Sequence, residues 1–309
     1  VMLLGAIIFV SGFFSAFFVN DTMCLVLTPL VLEITRRLRR NPVPYLLAVA
    51  MAANIGSVAT ITGNPQNMMI GSFSGIPYGA FTVALAPIAG AGLLALLGLL
   101  AVIYPQEFRA ERTLAVERQP VDIDRLQLWK SLLVAAAMIV FFFAGGRVSE
   151  VALLAGALLL ITRRVHPETI YREIDWPLLA MFVGLFIVVA GVERTTVSAD
   201  LLAFASRYRL DHTAVLTACA AALSNIVSNV PAVLVFKPIV QSLPDARHAW
   251  LTLAMSTTLA GNLTVLGSVA NLIVVERARR EAAISFWEYA KVGIPVTVLT
   301  LAIGAFMLR

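Results

Sequence analysis

Charge is what this sequence has least of. Asp, Glu, Lys and Arg make up 13% of its 309 residues, about half of the roughly 25% usual in soluble domains. Cysteine is nearly absent: Cys24 and Cys219 lie far apart in apolar surroundings, so no disulfide framework is implied. The three histidines, His166, His212 and His248, fall near the ends of apolar runs, and no pair has the spacing of a metal site. No Gly-x-x-x-x-Gly-Lys-Ser/Thr loop occurs, which argues against ATP-driven work. An intramembrane protease would need paired aspartates or a Ser/His pair at depth, and Asp21 has no carboxylate partner at depth, since Glu33 and Glu193 sit near span ends. The opening VMLLGAIIFVSGFF lacks the pattern of a removable signal peptide. No catalytic residue, enzyme activity or organic cofactor is therefore expected.

What the chain has instead is apolar length: 60% of its residues are hydrophobic. TVALAPIAGAGLLALLGLLAVIY (82–104) carries no charge and exceeds the roughly 20 residues that cross a hydrocarbon core. Barrel strands would alternate over about 10 residues, and these runs do not. The sequence predicts an all-α polytopic membrane protein. Its first repeat spans 1–104, with a hairpin at 2–35, a broken helix at 44–75 and a helix at 81–104. A charged cytoplasmic linker follows at 105–130. The second repeat spans 131–309, with scaffold helices at 131–193, an amphipathic interfacial helix at 197–208, a hairpin at 211–243, a broken helix at 248–275 and a helix at 287–308.

In the two hairpins the polar tips FFVNDT (17–22) and SNIVSNVP (224–231) separate arms that are marginal for a full crossing. Such tips suit re-entrant hairpins lined by protein or a water-filled cavity. Placing RRLRRN (36–41) inside and returning both hairpins to their starting sides puts fifteen Lys and Arg in cytoplasmic loops against six arginines outside, the bias expected of cytoplasmic loops. The net charge of +5 therefore reads as orientation, not as nucleic-acid binding. The protein is expected in the plasma membrane, multi-pass, with its C-terminus outside.

An internal repeat accounts for the polar stretch NIGSVATITGNPQNMMIG (54–71). Shifted by 209 residues, Ser15, Asn20, Leu25, Val26, Pro29 and Val31 fall on Ser224, Asn229, Leu234, Val235, Pro238 and Val240. Shifted by 204, Ala50, Met51, Thr60, Gly63 and Asn67 fall on Ala254, Met255, Thr264, Gly267 and Asn271. With hairpins entering from opposite sides, the repeat is inverted, an architecture in which broken helices meet near the midplane. The breaks are expected at Gly63-Asn64-Pro65 and Gly267-Ser268, where half-helix N-termini face anions and freed carbonyls face cations. Close helix packing is the competing explanation for the glycines; it accounts less well for Asn64, Gln66 and Asn67 beside a proline.

FFVNDTMCLVLTPLV, NIGSVATITGNPQN and GNLTVLGSVANLIVVERA resemble the ion-transporter superfamily, in particular its citrate-transporter-like branch with arsenite permeases and divalent-anion:sodium symporters. The resemblance covers nearly the whole chain. It implies a transport domain of two hairpins and two broken helices that moves as an elevator against a dimerising scaffold. It also implies a first cation site at Asn20, Asn54, Gly56, Thr60 and Asn64. A second would use Ser228, Asn229, Gly261, Asn262, Thr264 and Ser268, with Asn67 and Asn271 close to the substrate. The sodium-coupled dicarboxylate members carry Ser-Asn-Thr tips, whereas here the tips read Val19-Asn20-Asp21-Thr22 and Ser228-Asn229-Val230-Pro231.

The expected substrate wall is thus Asn20, Asn64, Gln66, Asn67, Asn229 and Asn271. The coupling positions are Asp21, Asn54, Gly56, Thr60, Ser228, Gly261, Asn262, Thr264 and Ser268, taking Na+ or H+. Asp21 stands out because a carboxylate at membrane depth is costly unless paired, hydrated or protonated; the alternative is a cap on the second arm of its hairpin. Lys237 is expected to snorkel. No arginine lies among the interrupted, amide-bearing positions of either motif (Arg277 stands at the end of the second), which argues against a bidentate clamp on a dicarboxylate. Partners are a small anionic solute, membrane lipid and a second copy of the chain. The leading expectation is a secondary active transporter of an anion, with a cation/proton antiporter as alternative and an intramembrane enzyme behind both. About 80 residues (131–210) precede the second hairpin and almost none the first, so the first scaffold helices are expected to be missing; in-frame helical coding upstream of Val1 would test this.

Overall fold

The computed structural model describes residues 2–109, 124–161 and 209–309, with scattered positions between 174 and 191. The expected interfacial helix 197–208 and most of the segment 176–193 lie outside the described residues. The regular elements among the described residues are all helices, with no strand among them: α1 Met2–Phe17, α2 Asn20–Arg37, α3 Val43–Ser57, α4 Pro65–Ser74, α5 Tyr78–Ile103, α6 Pro105–Arg109, α7 Arg125–Phe143, α8 Val148–Ile161, α9 Thr213–Val227, α10 Asn229–Ser242, α11 Ala246–Ala260, α12 Val269–Ala278 and α13 Phe286–Met307. Among these, α5, α7 and α13 are long and apolar enough to cross a membrane. The charged segment 105–130 is helical at both ends, in α6 and the start of α7.

The chain divides into two compact units. One comprises 1–76, 80–116 and 198–309; the other comprises 77–79 and 117–197. In the smaller unit α7 packs along α8. The larger unit holds both hairpins and both interrupted helices, and its internal order follows the repeat seen in the sequence.

That order can be followed at the level of single backbone angles. Each hairpin turns at a non-glycine residue with positive φ, Val19 (55°) in the first and Ser228 (78°) in the second, 209 positions apart as the sequence alignment requires. In the interrupted helices, α3 gives way after Ser57 to a loop and a single 3-10 turn, Ile61–Gly63, before α4 begins at Pro65. After Ala260, α11 does the same through Val265–Gly267 before α12 begins at Val269. Thr60 (φ −137°, ψ 164°) and Thr264 (φ −137°, ψ 165°) share one extended conformation, as do the caps Asn64 (φ −158°) and Ser268 (φ −151°).

Sequence chemistry explains where the helices stop and restart. The Asn64 side chain accepts from the Asn67 backbone N–H at 2.9 Å, an N-cap with proline at the next position, where a missing N–H costs nothing. Ser268 caps α12 through the Ala270 N–H at 3.3 Å. At each interruption one asparagine bridges a carbonyl at the end of the first helix segment and one in the loop that follows. Asn67 Nδ2 donates to the carbonyls of Ser57 (3.1 Å) and Thr60 (3.0 Å); Asn271 Nδ2 donates to those of Gly261 (2.7 Å) and Thr264 (3.0 Å). The lone Asn shared by the two motifs therefore closes the same gap twice.

Packing inside each repeat is also duplicated. Helix α1 lies on α3 and α9 on α11, with Ser15 Oγ donating to the Ala53 carbonyl (2.7 Å) and Ser224 Oγ to that of Thr257 (3.3 Å). At Gly56 the two backbones come so close that a Cβ would fall 2.1 Å from the Gly12 carbonyl oxygen, and one at Gly63 would fall 2.1 Å from that of Ser57. Between repeats the contacts cross over: α2 packs on α12 and α10 on α4, α3 on α12 and α11 on α4. A polar latch secures one end of this unit. Arg40 donates to the Tyr45 hydroxyl (3.1 Å) and the Glu107 carbonyl (2.9 Å), and Glu107 Oε1 accepts from the Asn41 N–H (3.0 Å).

Candidate functional site

The two helix interruptions bring their amides together in the middle of the larger unit. Asn54, on the last turn of α3, is the centre of the group. Its Oδ1 accepts from Asn20 Nδ2 at the first hairpin tip (2.9 Å) and from Ser268 Oγ at the second interruption (3.0 Å). Its Nδ2 donates to Asn262 Oδ1 (2.9 Å) and Asn271 Oδ1 (3.0 Å). A carboxamide offers two donor hydrogens and two acceptor lone pairs, and here all four are used. Three of the four partners come from the other repeat.

Position 258 is the equivalent of 54 in the second repeat, and it holds threonine. Thr258 Oγ1 accepts from Asn64 Nδ2 (3.2 Å) and Gln66 Nε2 (3.4 Å) and donates toward Asn67 Oδ1 (3.5 Å). Asn54 thus reaches Ser268 and Asn271, while Thr258 reaches Asn64 and Asn67, which are the equivalents of those two residues. The contacts are reciprocal, as across a two-fold axis. Asn54, Asn64, Asn67, Thr258, Asn262 and Asn271 are all at most 1% exposed. In a low-dielectric interior such a network is costly unless every member is bonded. Two atoms are left over: Asn20 Oδ1 and Asn262 Nδ2 are buried with no hydrogen-bond partner.

Most of the residues singled out from sequence fall in or beside this group. Asn20, Asn54, Asn262, Ser268 and Asn271 form its Asn54 half; Asn64, Gln66 and Asn67 form its Thr258 half. Thr60 bonds the Ala16 carbonyl through its hydroxyl, tying the first hairpin to the first interruption. Gly261 and Thr264 contribute carbonyls, held by Asn271. Gly56 sits at the close crossing of α3 with α1. Asn229 is bonded within its own hairpin, accepting from Ser224 Oγ (2.5 Å). Ser228 is exposed, and its side chain caps no helix; its part is the turn itself.

Asp21 is the second residue of α2, and the N-cap is Val19, without a capping side chain. The carboxylate is therefore in the first turn of α2, where the helix dipole favours negative charge. Lys237 lies with Nζ 4.9 Å from the centre of the Phe73 ring, joining α10 to α4 through a cation–π contact. Two residues of consequence escaped the sequence reading. Thr258 has no counterpart of its own type in the first repeat, and a threonine in an apolar helix carries little signal. Glu107 lies in what reads as linker, and nothing in its neighbours points to Arg40.

A family model described as Citrate transporter matches residues 1–260. A 46 kDa membrane protein of Mycobacterium leprae is 31% identical, over all of this chain and 76% of that protein. A silicon efflux transporter of Oryza sativa subsp. japonica is 30% identical, over 96% of this chain and 76% of its own length. The inner membrane protein YbiR of Escherichia coli is 28% identical, over 96% of this chain and 75% of its own. With a family match over most of its length, and with interrupted helices that pair their amides across a repeat, the chain belongs to the citrate transporter family of integral membrane transporters.

Proposed function

We propose that this protein is a secondary active transporter that moves a small anionic solute, a carboxylate or an oxyanion, with Na+ or H+ as coupling ion. The single observation that carries this reading is the reciprocal bonding of Asn54 with Ser268 and Asn271 and of Thr258 with Asn64 and Asn67. Interrupted helices that face each other across a pseudo-two-fold are the mark of inverted-repeat transporters, whose solute and ion sites lie where the interruptions meet. On this reading α1–α2 and α9–α10 are re-entrant hairpins entering from opposite sides. The unit that holds them moves as an elevator within a homodimer. The protein sits in the plasma membrane with its C-terminus outside.

The chemistry of the group favours an oxyanion over a di- or tricarboxylate. Its hydrogen bonds come from amides and hydroxyls, whereas a multiply charged carboxylate is better held by arginine forks. Asn20 Oδ1, a buried carbonyl-type oxygen without a partner, suits a hard cation such as Na+. The first ion position would then use Asn20, Asp21, Asn54, Gly56 and Thr60, and the second Ser228, Gly261, Asn262, Thr264 and Ser268. The placement of Asp21 in the first turn of α2 keeps the antiporter as a second reading, in which that carboxylate carries the proton.

Thermal unfolding of the purified protein tests both readings. The panel is citrate, succinate, sulfate, arsenite and silicic acid, each in sodium or potassium. Stabilisation by sodium alone reveals a cation site, and added stabilisation by one solute names its class. No response to any solute or cation, together with no uptake into proteoliposomes, would reject transport. Retention of pH-driven uptake in Asp21→Asn would remove the proton role.

A further inference from the structure

We infer that Thr258 faces the transported solute and sets its selectivity, while Asn54 pins the two repeats together. This rests on the transport reading above and assigns unequal work to the two halves of the site. Positions 54 and 258 are equivalent by sequence and by placement, yet they differ in what they can hold. The Asn54 amide makes four bonds of 2.9–3.0 Å, one for each donor and acceptor it has. Thr258 has a single hydroxyl to share among three amides, at 3.2, 3.4 and 3.5 Å, the last at the outer limit of a hydrogen bond.

The hydroxyl is also oriented for this task. Its neighbours Ser256 and Thr257 turn back onto their own helix, donating to the carbonyls of Thr252 (2.6 Å) and Leu253 (2.8 Å), the usual resort of a hydroxyl in a helix. Thr258 instead points across to α4.

The first repeat adds a further amide on this side only. Gln66 falls on Ala270 in the repeat, so α4 carries a side-chain donor and acceptor where α12 has a methyl group. Gln66 is buried and reaches Thr258 over 3.4 Å. Long, shared bonds cost least to exchange for bonds to a ligand oxygen, whereas breaking the Asn54 set leaves four buried polar groups unpaired. The Asn64–Gln66–Asn67 side is therefore where a solute enters, with Thr258 as the opposite wall.

The test measures solute affinity by thermal shift and by uptake for the 309-residue chain. The probes are arsenite, silicic acid, sulfate, citrate and succinate at fixed sodium. Thr258→Val keeps the shape and removes the hydroxyl; Thr258→Ser keeps the hydroxyl; Gln66→Ala imitates the second repeat. Expected in Thr258→Val is about tenfold weaker binding of the preferred solute, the usual loss for one buried hydrogen bond to a ligand, with an altered rank order among the five. Thr258→Ser retains the wild-type order, and Gln66→Ala moves in the direction of Thr258→Val. A purely structural threonine would instead lower the ligand-free melting temperature and leave affinities and rank order alone; that result in Thr258→Val overturns the inference. If the wild type answers to none of the five solutes, the inference and the transport reading fall together.

Discussion

Asn54 shows how much depends on one side chain. Replaced by alanine, it would leave Asn20, Ser268, Asn262 and Asn271 each short of a partner in a buried setting. An unpaired buried polar group costs about 1–3 kcal/mol, and partial relaxation makes the sum smaller than four such terms. Asn54→Ala should therefore destabilise the protein by about 3 kcal/mol or more, seen as a clear fall in the thermal midpoint in detergent. Asn54→Asp should do the same, since a carboxylate cannot donate to the Asn262 and Asn271 oxygens. A midpoint unchanged in both variants would show that the network contributes nothing to stability. Gly56, kept in the proposed ion position, has a structural role as well: it makes a close crossing with Gly12 that any side chain would force apart.

At the scale of elements, both hairpins turn through a residue ill suited to its conformation. Val19 is β-branched and has φ 55°, ψ 125°; Ser228 has φ 78°, ψ 159°. Such backbone costs of order 1–3 kcal/mol for a residue with a Cβ, and glycine relieves it at an entropic cost of about 0.5–1 kcal/mol. Val19→Gly and Ser228→Gly should each raise the thermal midpoint, by the equivalent of about 1 kcal/mol. A fall in both would mean that the side chains, and not the backbone, hold these turns. That strain recurs at the equivalent position of both hairpins suggests a turn maintained for function. Pro29 and Pro238 recur likewise inside α2 and α10, each removing an N–H from the helix ladder.

The whole molecule carries the topological claim. If the hairpins re-enter, the loops at 36–41 and 276–281 share the cytoplasmic side and Arg309 lies outside. Single cysteines at Arg39, Arg280 and Arg309, introduced into a chain with Cys24 and Cys219 replaced by serine, provide the check with a membrane-impermeant thiol reagent on intact cells. Arg309→Cys should label from outside, and Arg39→Cys and Arg280→Cys only after the membrane is opened. Labelling of Arg39→Cys from outside would overturn the orientation assigned to the loop after the first hairpin. The latch of Arg40, Tyr45 and Glu107 belongs to this scale too, since it ties the turn after the first hairpin to the start of the segment that joins the two halves.

The sequence by itself determined the class of the protein and the position of its breaks. Long uncharged runs leave helices as the only economical way through lipid. Gly, Pro and Asn at recurring spacings mark where those helices stop, because these residues end or cap helices through their own local chemistry. Local chemistry does not say which amide meets which. The bond from Asn54 to Asn271 joins residues more than two hundred positions apart, and the difference between a saturated carboxamide at 54 and an overcommitted hydroxyl at 258 exists only once the repeats have packed. Only the tertiary structure decided that, because hydrogen-bond partnership depends on distance and direction in space, and no spacing along the chain records either.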